Sequence, residues 1–420
     1  MAVEATDTHR AIDAVWRIEA SRLIAGLARI VRDVGLAEDL AQDALIAALQ
    51  QWPDQGIPNN PGAWLMAAAK HRAIDQIRRR TLLERKHEQL GYELDSAQPA
   101  PDLDAMLDDD VGDDLLRLIF TACHPVLSTD ARVALTLRLL GGMTTDEIAR
   151  AFLVAEPTIA QRIVRAKKTL AEKHVPFEVP RGPDLAARLS SVLDVIYLIF
   201  NEGYSPTGGR EWTRPTLCDE ALRLGRVLAE LAPEEPDVHG LIGLMEIQAS
   251  RLRARIGPSG EPVRLFDQNR TTWDRVLIRR GLAAVARGER LGGVRGPFLL
   301  QAAIAACHAR AATPEDTDWP RIVRLYDELA TLSRSPVVAL NRAVAVAMAQ
   351  GAAAGLALVD ALGAEPALKG YHYLPSVRGD LLEKLGRRDE ARKEFERAAR
   401  LTQNARERDL LVARARSCGP

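Results

Sequence analysis

Ile159, Ile163, Ala166 and Leu170 follow one another at steps of four, three and four residues, which lays all four along one stripe of a helix. That period recurs along most of the 420 residues, whereas alternating β-branched runs are scarce and aromatic residues make up only 5%. The chain is therefore expected to be all-α, with Ala- and Leu-rich helices packed on one another. Its length exceeds one typical hydrophobic core, so two or three domains are expected. No apolar stretch approaches the roughly 18 residues that cross a bilayer, and the N-terminal segment lacks a signal-peptide pattern. A cytoplasmic protein without membrane contact is expected. The cysteines Cys123, Cys218, Cys307 and Cys418 are scattered, with no C-x-x-C pair, and suit reduced thiols. Because the formal net charge is only -1, a nucleic-acid surface must come from charge segregated locally.

Composition divides the chain. Residues 8–82 carry amphipathic helical patterns interrupted by "WPDQGIPNNPG". Residues 83–114 form an acidic linker, and no Lys or Arg occurs between positions 87 and 116. Helical periodicity resumes over 115–173, and the Pro-rich "HVPFEVPRGPD" marks a second linker at 174–184. A helical extension then spans 185–295. Residues 296–420 hold three helix hairpins, the third of which fits a tetratricopeptide pattern: a Leu385–Gly386 turn, then Ala391, Phe395 and Ala398 on one face. A helical solenoid with a groove for an unknown protein or ligand follows from that pattern, with plain helix stacking as the competing explanation.

In "MTTDEIARAFLVAEPTIAQRIVRAKKTL", residues 143–170, Thr144 is placed to cap one helix, with Glu147 completing a capping box. Pro157 suits the start of the next helix, where a missing N–H costs nothing. Leu153 and Ala155 stand in the turn where Gly and a polar cap are usual. Opposite the apolar stripe lie Thr158, Gln161, Arg162, Arg165 and Lys168. A helix-turn-helix divides its second helix this way, with N-terminal side chains at base edges and later basic ones on phosphates. An ordinary solvated hairpin explains the pattern less specifically.

The first region adds a second basic helix. "NNPGAWLMAAAKHRAIDQIRRR" begins with a cap-like Asn60 before Pro61. Trp64, Ala67, Ala68, Ile74 and Ile77 suit its packed side, and Lys70, His71, Arg72, Arg78, Arg79 and Arg80 its basic side. Just upstream, Glu38, Asp39, Gln42 and Asp43 form an acidic face. Each face alone is explained by solvation; their pairing in one small domain is harder to dismiss. Further along, Asn201, Glu202, Gly203 and Tyr204 lie at a Gly-rich helix end, and Asp267, Gln268, Arg270 and Trp273 form a polar-aromatic cluster. Capping and a binding role explain these two clusters equally well. Cys123–His124 and Cys307–His308 show no metal-ligand spacing, and Gly208–Gly209 and Gly292–Gly293 lack the context of a phosphate loop. No catalytic residue, metal or cofactor is expected, and the chain is not expected to be an enzyme.

Taken in order, these elements resemble a bacterial RNA polymerase sigma factor of the sigma-70 family, extracytoplasmic-function class. "GLAEDLAQDALIAALQQW" resembles the helix that docks on the polymerase clamp, "AWLMAAAKHRAIDQIRRR" the helix that reads and melts the −10 element, and residues 143–170 the −35 reader. "DVIYLIFNEGYSPTGG", "EPDVHGLIGLMEIQASR" and "DQNRTTWDR" resemble hallmark segments of a subgroup with a long, tetratricopeptide-like C-terminal extension. The resemblance implies sigma region 2 at 8–82 and region 4 at 115–173. It implies core-polymerase contacts (clamp and flap) through Glu38, Asp39, Gln42 and Asp43. It also implies −10 contacts, to melted single strand, through Asn59, Asn60, Trp64, Lys70, His71, Arg72, Arg78 and Arg79. Duplex contacts at −35 fall to Thr158, Gln161, Arg162, Arg165 and Lys168, and the extension is implied to regulate. The alternative is a helix-turn-helix activator with a tetratricopeptide sensor, which leaves the first domain idle.

Overall fold

The computed structural model describes residues 2–88, 111–152, 154–206, 208–258, 260–292 and 295–418. They form two units, Met1–Val195 and Ile196–Pro420.

The first unit opens with α1 (Ala2–Val31), α2 (Val34–Gln55) and α3 (Pro61–Glu88). Asp33 caps α2 by accepting from the Leu36 N–H at 2.9 Å, and Asn60 caps α3 by accepting from Ala63 at 3.1 Å. Ala37, Ala41, Ala44 and Ala48 form the buried stripe of α2, small enough for α1 to approach closely; Ile24 and Leu27 of α1 are buried as well. The packed side of α3 differs from expectation. Among its described side chains Leu65, Ala69 and Ala73 are buried and Ala67 is exposed, with Ile77 outside them. "AWLMAAA" puts apolar groups on every side of the helix, so periodicity could not choose the face; contact with α1 and α2 did.

Helix α3 runs to Glu88 and the next helix begins at Val111, so both ends of the acidic segment are helical; residues 89–110 lie outside the described residues. Then follow α4 (Val111–Ala122), α5 (Thr129–Leu139), α6 (Thr145–Phe152), α7 (Glu156–Glu172) and α8 (Pro183–Tyr204). The start of α8 packs on this cluster: Ser191 donates to the Cys123 carbonyl at 2.7 Å, and Arg188 donates to that of Phe120 at 2.9 Å.

In the second unit, α10 (Pro236–Ala249) carries apolar residues on every side and is almost wholly buried, against α9 (Pro215–Leu231), α11 (Arg275–Leu291) and α12 (Pro297–Arg310). Gly240 permits the closest approach, since a Cβ there would lie 2.4 Å from the Leu299 nitrogen. Helix α12 pairs with α13 (Trp319–Leu332), α14 (Pro336–Gln350) with α15 (Ala352–Leu362), and α16 (Tyr373–Lys384) with α17 (Arg388–Leu401), followed by α18 (Ala405–Ser417). The last hairpin has the expected form: Gly386 turns at φ 75°, and Ala391, Phe395 and Ala398 are buried. Two short parallel strands, β1 (Gly208–Gly209) and β2 (Gln403–Asn404), join the chain's end to the loop after α8. There the Asn404 amide donates to the carbonyls of Pro206 at 3.2 Å and Glu211 at 3.0 Å.

Candidate nucleic-acid interface

The hairpin of α6 and α7 is built by local chemistry. The Thr144 hydroxyl accepts from the Glu147 N–H at 3.1 Å, and the Glu147 carboxylate accepts from the Thr144 N–H at 2.8 Å. Helix α7 starts without a side-chain cap at Ala155, but Pro157 occupies its first turn; Leu153 lies outside the described residues. The four expected residues Ile159, Ile163, Ala166 and Leu170 are buried, and α5 and α6 pack against this helix. On the far side Thr158, Gln161, Arg165 and Lys168 are exposed. Arg162 is half-buried and pairs with Asp130 at 3.1 Å, while Lys168 reaches Glu172 at 3.6 Å. Side chains that point outward from a helix braced on its opposite face can enter a groove without disturbing the fold.

On α3, Asn59 and Asn60 are exposed at the helix start. Trp64 is half-buried and meets the buried Trp52 edge-on, with ring centroids 5.3 Å apart. His71 and Arg72 are exposed and Lys70 is half-buried; the side chains of Arg78 and Arg79 lie outside the described residues.

The acidic face of α2 is divided. Asp39 and Asp43 are exposed, but Glu38 is only 2% exposed. Its carboxylate receives Arg138 of α5 and the Gln42 amide at 2.6 Å each, and lies 2.5 Å from the Lys167 ammonium of α7. Burial pushes the Glu38 carboxyl upward, but Lys167 and Arg138 together outweigh it and hold it below its ordinary value. Around this contact Arg29 meets Asp114 at 3.1 Å and Arg17 meets Glu147 at 2.9 Å. Sequence reasoning did not single out Arg138 or Lys167. The one available signal was that Glu38 borders the alanine stripe of α2, where a lone carboxylate needs a partner.

In the second unit Glu202 pairs with Arg214 at 2.6 Å, Tyr204 stacks on Phe200 at 5.7 Å, and Asn201 is exposed. Gly203 is buried and its carbonyl accepts from the Arg214 N–H at 2.6 Å. Arg270 donates to the carbonyls of His308 at 2.9 Å and Ala311 at 2.7 Å, fastening the "DQNRTTWDR" turn to the end of α12. Asp267 pairs with Arg264 at 2.8 Å; Gln268 and Trp273 are buried. As for the Cys–His pairs, burial pushes Cys123 up to about 11 and Cys307 upward, and lowers both His124 and His308 to about 4. These thiols are protonated near neutrality, and both imidazoles are neutral.

A helix-turn-helix with an outward basic face, beside a helical domain with a capped basic helix and a helix with an acidic face, is the build expected of a DNA-binding protein of sigma-factor type. The comparisons agree. Residues 17–82 match sigma-70 region 2, residues 117–170 match sigma-70 region 4, and residues 188–289 match a family of unknown function (DUF6596). An uncharacterized protein of Rhizobium meliloti (strain 1021), R00370, is 45% identical over 393 residues, 91% of this chain and 89% of the relative. The ECF RNA polymerase sigma factor SigK of Mycobacterium ulcerans (strain Agy99) is 27% identical over 156 residues, 36% of this chain and 78% of that protein. SigK of Mycobacterium sp. (strain KMS) is 27% identical over 157 residues, 36% of this chain and 77% of that protein. No solved structure matches. The chain belongs to the family of the Rhizobium protein, carries sigma-70 regions 2 and 4, and over its first part is similar to sigma factors of the extracytoplasmic-function type.

Proposed function

We propose that the chain binds core RNA polymerase and directs promoter recognition and transcription initiation, with its second unit regulating that activity. The observation that carries this reading is the pairing of regions 2 and 4 in one chain, each with an exposed basic helix. In it, α7 anchors duplex DNA at −35: Thr158, Gln161 and Arg162 reach base edges, and Arg165 and Lys168 hold phosphates. Helix α3 reads the −10 element, with Asn59 and Asn60 receiving an unstacked base, Trp64 bracing the helix, and Lys70, His71, Arg72, Arg78 and Arg79 following the strand. Capturing exposed bases offsets part of the cost of melting. The α2 face engages the polymerase clamp through Asp39, Asp43 and, once released from Arg138 and Lys167, Glu38 and Gln42; region 4 meets the flap. The contact at Glu38 holds the free chain closed, and polymerase competes for it.

In vitro transcription with purified core polymerase and a pool of promoter fragments tests this, comparing the full chain with one ending after Tyr204. Initiation that requires the protein is expected. If core polymerase gains no initiation from either version while the full chain still binds duplex DNA, an activator takes its place. Equal initiation by both versions removes the regulatory role of the second unit.

A further inference from the structure

A cavity of about 440 Å³ opens within the second unit, between the loops after α8 and α10 and the helices α16 and α18. That volume is in the range that holds small molecules. Its walls bring together residues from the two clusters that sequence analysis set apart, Tyr204 and Gln268, with Arg251, Arg255, Trp212 and Gln248.

These side chains are poorly accounted for by the fold. Arg251 is 9% exposed and Gln268 6%. The Nε atoms of Arg251 and Arg255, the amide oxygens of Gln248 and Gln268, and the indole N–H of Trp212 are all buried without a hydrogen-bond partner among the described residues. Neither arginine pairs with a carboxylate there. They lie instead over aromatic faces: Arg255 is 3.9 Å from the Tyr204 ring and 5.2 Å from Trp212, and Arg251 is 5.9 Å from Tyr204 and 5.8 Å from Trp273. Stacking on a ring offsets only part of the cost of taking a guanidinium out of water.

The cavity also has two acidic members, each already held by partners of its own. Glu407 accepts from the Thr402 hydroxyl at 2.6 Å and meets His372 at 2.9 Å. Asp380 pairs with Arg414. Four arginines on the wall, Arg251, Arg255, Arg264 and Arg414, outnumber its two carboxylates; Arg251 and Arg255 sit on aromatic rings, and the unpartnered amide oxygens beside them call for N–H or O–H donors.

We infer that this cavity binds a small organic anion, a carboxylate or phosphate ester on a flat ring bearing N–H or O–H donors. Arg251 and Arg255 take the anionic group, Tyr204 and Trp212 flank the ring, and Gln248 and Gln268 accept from its donors. This goes beyond the promoter-recognition reading and stands without it, because binding needs neither polymerase nor DNA.

The test is calorimetry on the full-length protein with three probes: a nucleoside 5′-monophosphate, an indole carboxylate and inorganic phosphate. Saturable binding of one ring-bearing probe, at least about 10-fold tighter than inorganic phosphate, is expected; which one binds separates phosphate esters from carboxylates. Arg255→Gln should weaken that binding by about 10- to 100-fold, the worth of one charged hydrogen bond. Arg255 is only half-buried, so this variant avoids the folding risk of Arg251→Met; an unchanged circular-dichroism melt confirms its integrity. The inference is overturned if no ring-bearing probe saturates at millimolar concentration, if phosphate alone binds as tightly, or if the folded Arg255→Gln protein binds unchanged.

Discussion

Glu38→Ala should loosen the contact of α2 with α5 and α7. Removing one partner of a buried ion pair costs about 3–5 kcal/mol, because the remaining charge stays buried and unpaired. Here the side chains of Lys167 and Arg138 keep 19% and 22% exposure, so water recovers part of the loss, and Asp39 remains 3.8 Å from Lys167. We therefore expect a loss of about 2–3 kcal/mol, discounted for that exposure. At about 1.4 kcal/mol per tenfold, local opening of the contact becomes about 30- to 150-fold more frequent. Hydrogen exchange on the full-length protein reads this directly, in peptides covering residues 34–48 and 159–171. Lys167→Met keeps most of the apolar stem and completes a double-mutant cycle, whose coupling should exceed about 1 kcal/mol. Additive single effects, with coupling below about 0.3 kcal/mol, would show that Glu38 and Lys167 are neighbours without being partners.

The same pair gives a pH dependence. The folded Glu38 carboxyl lies below its ordinary value, so its stabilising contribution is present above that value and disappears as pH falls through the lower, folded one. Melting temperature measured downward from pH 6 should fall less steeply for Glu38→Gln than for the unchanged protein. Arg165→Ala should weaken duplex binding in complex with polymerase and reduce the slope of log affinity against log salt by about 0.9; an unchanged slope places Arg165 off the phosphates. Asn404→Ala removes both bonds to the loop after α8 and the cap of α18, where its side chain accepts from Arg406 at 3.0 Å and Glu407 at 3.3 Å. A loss of about 2–4 kcal/mol is expected in urea unfolding followed by circular dichroism. Gly379→Ala would place a Cβ 2.6 Å from the Phe395 ring and should cost about 1–3 kcal/mol; a neutral melt would show that the last hairpin repacks freely.

Short-range physics made much of this protein legible from its sequence alone. The stripe Ile159, Ile163, Ala166 and Leu170 and the capping box of Thr144 and Glu147 depend on residues within one or two helical turns, and both stand as read. So does the Leu385–Gly386 turn with Phe395 buried behind it. Where a helix is apolar on several sides, as in "AWLMAAA", its packed face was decided by the helices that cover it. Charge partners were decided at longer range still. Glu38 reads as one of three acidic groups on a helix, yet residues 100 and more positions away bury it and hold its charge, while Asp39 beside it stays in water. Likewise Tyr204 and Gln268, each a motif residue with no evident partner, meet on one cavity wall only because the loops after α8 and α10 converge there. Periodicity fixes what one helix wants to bury; which charges and rings meet across elements depends on how the helices are packed, and that is written in the tertiary structure.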